Sequence, residues 1–260
     1  MKTCKKVPSC RRLDNVSGRI RLHGIYRVRL GKRQGQRIWL VDGARVVRDI
    51  YPAFIMGGND QRYRFNPDDD VWIDNRIGIE ELEYTIAHEL IERKLMREKL
   101  YTYERAHTAA LCLEKRMRSR DARRAKQREK TSALPVSGVY RCFLRRSRGV
   151  KIWIVDGPKV RQHLDGDFTF AGHGYKYDFI PKDEIWLDSA MSVEQAYFAL
   201  FHELNERLMI ARSGDYDSAY PEALALELLE RDKQERLALH HEGKLSAVKF
   251  GVRERGYRKV

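Results

Sequence analysis

Residues 37 to 46 read RIWLVDGARV, and residues 151 to 160 read KIWIVDGPKV. The same offset of 114 residues separates Trp39 from Trp153, Asp42 from Asp156, Trp72 from Trp186, Asp74 from Asp188, and His88 from His202. YRFNPDDDVWIDN matches YDFIPKDEIWLDS in that register. So many shared positions mark an internal duplication, and the fold must be one unit built twice. Repeat one is placed at residues 24–117 and repeat two at 138–230. Units this short bury little apolar surface alone, so the copies are expected to pack as a pseudo-two-fold unit, the monomer acting as a pseudo-dimer.

Each copy sets out the same elements in the same order. Short alternating segments, YRVRL and VYRCFL, precede apolar runs that an Asp-Gly turn closes. A glycine-containing stretch follows, with Gly172-His173-Gly174 in the second copy. A second Trp strand, DVWID or EIWLD, ends in an Asp suited to a turn or a helix N-cap. Two helices complete the unit. Strands first and helices after predict an α+β class: two tandem repeats, each a small β-sheet followed by two helices. Outside them lie a basic N-terminal arm (1–23), a basic helical linker (118–137) and a basic C-terminal tail (231–260). The copies differ by one residue between their two helices. The gap falls either within the helix or in the loop before Tyr103 and Tyr216.

The first helix carries the chemistry: TIAHELIER (85–93) recurs as ALFHELNER (199–207). On a helix, His88 and Glu92 project from one face and Glu89 is rotated by about 100°. Two ligands a turn apart, beside a carboxylate that can take a proton from water, are what a hydrolytic zinc site needs. The third ligand must come from elsewhere. His107, Glu104 and Glu114 on the next helix are candidates, and Asp74 is more remote. The competing reading makes His88, Glu89, Glu92 and Arg93 a hydrogen-bonded tetrad that pins the helix to the sheet, with Glu89 paired to a cation such as Arg93. The tetrad recurs as His202, Glu203, Glu206 and Arg207, whereas His107 becomes Tyr220 and Glu104 becomes Asp217.

A strand, a short connection and a helix bearing TIAHEL, followed by ERAHTAAL, resembles the zincin metallopeptidases in their smallest forms. The resemblance implies that His88 is a ligand, Glu89 the general base, and His107 or Glu104 the third ligand of one Zn2+ or other divalent ion. Glu92 stands where that family has its second His. Because Tyr220 replaces His107, one centre is expected, in repeat one, with Glu89 partly solvated.

The formal net charge of +14 calls for a polyanionic partner, nucleic acid ahead of a membrane surface. Candidate phosphate contacts are Arg116, Arg118, Arg120, Arg123, Arg124, Lys126 and Arg128 near the linker, and Arg253, Arg255 and Arg258 in the tail. Cys4, Cys10, Cys112 and Cys142 form neither a disulfide framework nor a CxxC pair, which suits free thiols in a reducing compartment. The basic N-terminus lacks an apolar h-region, and no run of about 18 apolar residues exists, so a cytoplasmic protein without a membrane span is expected. Two functions from different classes follow. One is a metal-dependent hydrolase acting on or near nucleic acid. The other is a non-catalytic nucleic-acid-binding protein whose tetrads are structural.

Overall fold

The computed structural model describes residues 22–247. Repeat one contains β1 (Tyr26–Arg33), β2 (Gln36–Val41), α1 (Gly43–Asp49), β3 (Gly57–Asn59), β4 (Asp70–Asp74), α2 (Leu82–Glu98) and α3 (Tyr103–Thr131). Repeat two contains β5 (Tyr140–Ser147), β6 (Val150–Val155), α4 (Gly157–His163), β7 (Ala171–His173), β8 (Glu184–Asp188), α5 (Val193–Ser213) and α6 (Tyr216–Ala247). The class is α+β in two tandem copies. Each copy has a four-stranded sheet, ordered β1-β2-β4-β3 and β5-β6-β8-β7. The central pair of each sheet is parallel, and Trp39 lies opposite Trp72 as Trp153 lies opposite Trp186.

Local chemistry explains the elements. Gln34-Gly35 and Arg148-Gly149 all have positive φ, the pair of left-handed residues that closes a tight hairpin. The Asp-Gly steps start helices instead of simple turns: Asp42 accepts from the backbone N–H of Arg45, and Asp156 from that of Lys159. Glycine is required at the second position. A Cβ on Gly43 would lie 2.1 Å from the Asp74 carboxyl, and one on Gly157 would lie 1.9 Å from Asp188. Both sheet faces are covered, which is why the central strands are apolar throughout. Ile38 and Leu40 meet Ile86 and Leu90 of α2, while Trp39 and Val41 face Val46 and Phe54 on the other side.

The two copies interlock. Val193 and Phe198 of repeat two enter the α2-side core of repeat one, and Ile79 enters the matching core of repeat two. The stretch expected as a linker is, over residues 118–131, the second half of α3; the expected tail is, over 231–247, the second half of α6. Each half packs on the other repeat. Ala125 of α3 sits among Tyr140, Trp153 and Trp186, and Ala238 of α6 among Tyr26, Trp39 and Trp72. Glu129 accepts from the N–H groups of Gly138 and Tyr140 at 2.9 and 2.8 Å. Glu242 accepts from those of Gly24, Ile25 and Tyr26 at 2.9, 3.0 and 3.1 Å. The one-residue gap between copies falls around the connection: residues 99–102 are matched by 214–215, while α5 runs one residue further than α2. No helix among the described residues is long and apolar enough to cross a membrane.

Glu242 is 4% exposed and accepts from three backbone N–H groups, with His23 beside it at 3.2 Å, whereas Glu129 is half-buried and accepts from two. Hydrogen bonds to a charged group contribute about 1.5–3 kcal/mol each. Glu242→Gln is therefore expected to lower the melting temperature by several degrees, and Glu129→Gln by less. Calorimetry checks the order; a silent Glu242→Gln would show that the exchange of helix ends contributes little.

Candidate metal centre

Two groups of His and Glu side chains lie close enough together to hold a metal ion: His88, Glu92 and His107 in repeat one, and His173, Glu203 and Glu206 in repeat two. In the first, α2 supplies His88 and Glu92 one turn apart, and the start of α3, capped by Thr102, supplies His107. His88 Nε2 is 3.0 Å from His107 Nδ1 and 3.5 Å from Glu92 Oε2, and His107 Nδ1 is 3.0 Å from the same oxygen. Ligand atoms of a tetrahedral zinc ion stand about 3.3–3.5 Å apart, so the trio needs little adjustment to hold one. His88 Nδ1 is 3.2 Å from Glu114 Oε2. A carboxylate accepts, so Nδ1 carries the proton and Nε2 turns a lone pair toward the trio. Arg118 in turn holds Glu114 at 2.7 Å. Of the proposed third ligands, His107 is in place, whereas Glu104 is exposed in the first turn of α3 and outside the cluster. Asp74 is engaged by Arg76 at 2.6 Å.

Glu89 and Glu92 share a donor that the sequence reading did not single out. Asn59 Oδ1 accepts from the backbone N–H groups of Gln61 and Arg62, both at 3.1 Å, which fixes Nδ2 as the donor. Nδ2 reaches Glu89 Oε2 at 2.8 Å and Glu92 Oε1 at 3.1 Å. Glu89 is buried, 8% exposed, where partial solvation was expected. Burial, then the charge of Glu92, pushes its pKa up to about 7. Burial also acts against the charge on Glu92, but the contacts with His88 and His107 and the hydrogen bond from Asn59 outweigh it and hold that pKa below the ordinary value. His88 is raised: burial opposes its charge, and the Glu92 hydrogen bond with the charge of Glu89 overcomes it. Arg93 does not pair with Glu89. It turns to Asp60 and Asp69 and ties α2 to the β3–β4 connection.

Repeat two keeps the helix but changes the donors. His202 Nε2 is 3.2 Å from Glu206 Oε2, and Nδ1 is 3.2 Å from Glu227 Oε2, the counterpart of Glu114. Tyr220 occupies the place of His107, its ring 5.4 Å from that of His202. The further imidazole comes from β7: His173 Nε2 is 3.0 Å from Glu206 Oε1. Its Nδ1 accepts from the N–H of Tyr175 at 3.1 Å, so Nε2 carries the proton of the neutral ring. His173 thus stands where Asn59 stands 114 residues earlier, taking a loop N–H on Nδ1 and placing Nε2 3.0 Å from Glu206 and 3.9 Å from Glu203, without the directed hydrogen bonds that Asn59 makes. The loop N–H on Nδ1 holds the neutral ring in that tautomer, with no lone pair on Nε2 for an ion, whereas among the described residues no backbone N–H fixes the tautomer of His107. The Nε2–Oε1 contact is off the line of a good hydrogen bond, and Glu203 Oε2 has no hydrogen-bond partner among the described residues. Burial and then Glu206 push Glu203 up to about 7. Glu206 is lowered to about 2: burial opposes this, and the close contacts with His173 and His202 outweigh it.

The cations proposed for phosphate contact divide. Arg118 is committed to Glu81 and Glu114 over the Tyr84 ring, and Arg128 to Glu184 over Tyr140. Arg120 and Arg124 are exposed beside Asp121, at 3.2 and 3.4 Å. Arg116, Arg123 and Lys126 are exposed. Arg253, Arg255 and Arg258 lie outside the described residues. Comparison of the chain with family models, curated proteins and solved structures gives no match.

The raised pKa of Glu203 gives a signed pH dependence. An unfolded glutamate titrates near about 4.3. Between that value and about 7 the folded chain holds the extra proton, so this group's contribution to stability is lost as pH rises through the window. Glu203→Gln, which cannot ionise, is expected to gain on the wild type from pH 5 to pH 8 in chelator-treated protein. Urea denaturation at both pH values measures it; a difference independent of pH would show that the folded chain does not hold that proton.

Proposed function

We propose that the chain is a divalent-metal-dependent hydrolase with one reaction centre, in repeat one. The observation that carries this reading is the trio His88, His107 and Glu92: three ligand atoms 3.0–3.5 Å apart, with His88 Nε2 left bare by Glu114. Zinc suits a set of two imidazoles and one carboxylate. Bound there, it would act as a Lewis acid and bring the pKa of water toward neutrality. The remaining work belongs to the chain. Glu89, with a pKa of about 7, is matched to accepting the proton of the attacking water near neutral pH. Asn59 holds that carboxylate beside Glu92. Tyr103 stacks on His107 with ring centroids 5.2 Å apart, and the Arg62 guanidinium lies 3.6 Å from the Tyr103 centroid. The His107 side chain is 38% exposed, so the centre meets solvent at this edge. The likeness to zincins in His88 and Glu89 supports the same assignment. Repeat two, with Tyr220 for His107 and a proton-bearing His173 Nε2, is the structural copy.

The scaffold reading of the whole chain is favoured by one observation: repeat two keeps His202, Glu203 and Glu206 with Tyr220, not an imidazole, at the position of His107. Elemental analysis separates the two. Protein purified without chelator is expected to hold one equivalent of divalent ion. His88→Ala and His107→Ala should each abolish it, and His173→Ala and His202→Ala should not. Glu89→Gln should keep the metal and lose about 10²-fold or more in hydrolysis. Native protein without metal would overturn the reading.

A further inference from the structure

The two sides of α3 have opposite characters. At about 100° per residue, His107, Glu114, Arg118, Asp121 and Ala125 fall on one side, and this side meets α2 and then the sheet of repeat two. Arg116 stands half a turn of the helix wheel away from His107. With it on the outer side come Arg120, Arg123, Lys126 and Lys130, all exposed. They span about 21 Å of helix. Arg120 shares Asp121 at 3.2 Å; Arg116, Arg123, Lys126 and Lys130 have no carboxylate partner among the described residues.

The duplication supplies a control for this charge. α3 has ten Lys and Arg against four Asp and Glu, whereas α6 has four against seven. At the positions matching the outer stripe, α6 carries Leu229, Lys233, Arg236, Leu239 and Gly243. The fold therefore does not require a basic stripe there, and α3 alone has it. The chemistry of the stripe selects its partner. A helix that lies on an anionic membrane buries an apolar side, and the residues between these cations include Ser119 and Gln127 but no Leu, Phe or Trp. Evenly spaced cations on a straight rod complement a phosphate backbone.

We propose that the outer face of α3 docks the sugar–phosphate backbone of duplex nucleic acid, without regard to sequence. Because this face points away from His107, the duplex held there anchors the chain and does not enter the metal centre. The proposal stands independently of hydrolysis.

The test uses the full chain, a fluorescent random-sequence DNA duplex of about two helical turns, and anisotropy titrations over a range of salt concentrations. The quadruple variant Arg116→Ala, Arg123→Ala, Lys126→Ala, Lys130→Ala is expected to reduce the slope of log affinity against log salt by about 3–4, roughly 0.9 for each contact. The double variant Arg116→Gln, Arg123→Gln, which perturbs the helix less, should reduce it by about 2. Lys233→Ala with Arg236→Ala on α6 should leave it unchanged. Circular dichroism confirms that each variant is folded. An unchanged slope in the folded α3 variants, an equal loss in the α6 variant, or capture by phosphatidylserine vesicles in place of the duplex would overturn the proposal.

Discussion

Neither sheet is closed by its own repeat, and the rest of the structure depends on how each is closed by the other. The far half of α3 covers the Trp153 and Trp186 face of repeat two, and the far half of α6 covers the Trp39 and Trp72 face of repeat one. The contact is buried and polar at its centre. Asp70 receives Tyr26, Arg37 and His241; Glu184 receives Tyr140, Trp186 and Arg128. Such networks are costly when half satisfied and specific when complete, so they fix where each helix ends. A long helix fixed at its far end is also fixed at its near end. That places His107 over α2, and the clustering of His88, Glu92 and His107 follows from a contact made in the other repeat.

The duplication, the order of strands and helices, and the trio of His88, Glu92 and His107 were legible because each leaves a periodic or chemical mark on the sequence. The reach of α3 was not. Its packed side beyond residue 117 shows the sheet Ala125 and the stems of Arg118 and Arg128, a surface with no apolar run to betray it. Arg118 and Arg128 read as solvated charge because their partners, Glu81 and Glu184, are remote in sequence. Asn59 escaped for another reason. An amide is no metal ligand, and its importance appears only when its own loop fixes which end donates. The 114-residue register pairs it with His173, and that pairing was the available clue.

The two clusters show which parts of a buried carboxylate pair can change. Two glutamates one turn apart under a sheet repel unless an N–H lies between them, and both repeats provide one from the same strand end. Whether that N–H belongs to an amide or an imidazole matters little for packing. It matters greatly for chemistry, because the imidazole in this orientation spends its lone pair on a loop N–H. The residue facing the open edge, His107 or Tyr220, was free to diverge, and with it the capacity to complete a ligand set.

The exchange of helix ends also governs the order in which the chain can mature. Gly24 meets Glu242 across 218 residues. During synthesis the Trp39 and Trp72 face is made before all of repeat two and its cover after it, so the nascent chain carries an uncovered aromatic surface while repeat two is made. Repeat two meets its own cover, α3, as it emerges. Contacts this distant along the chain slow folding and lengthen exposure to aggregation. The second-made half is thus the first able to finish, and the half that carries His88, Glu92 and His107 waits for α6.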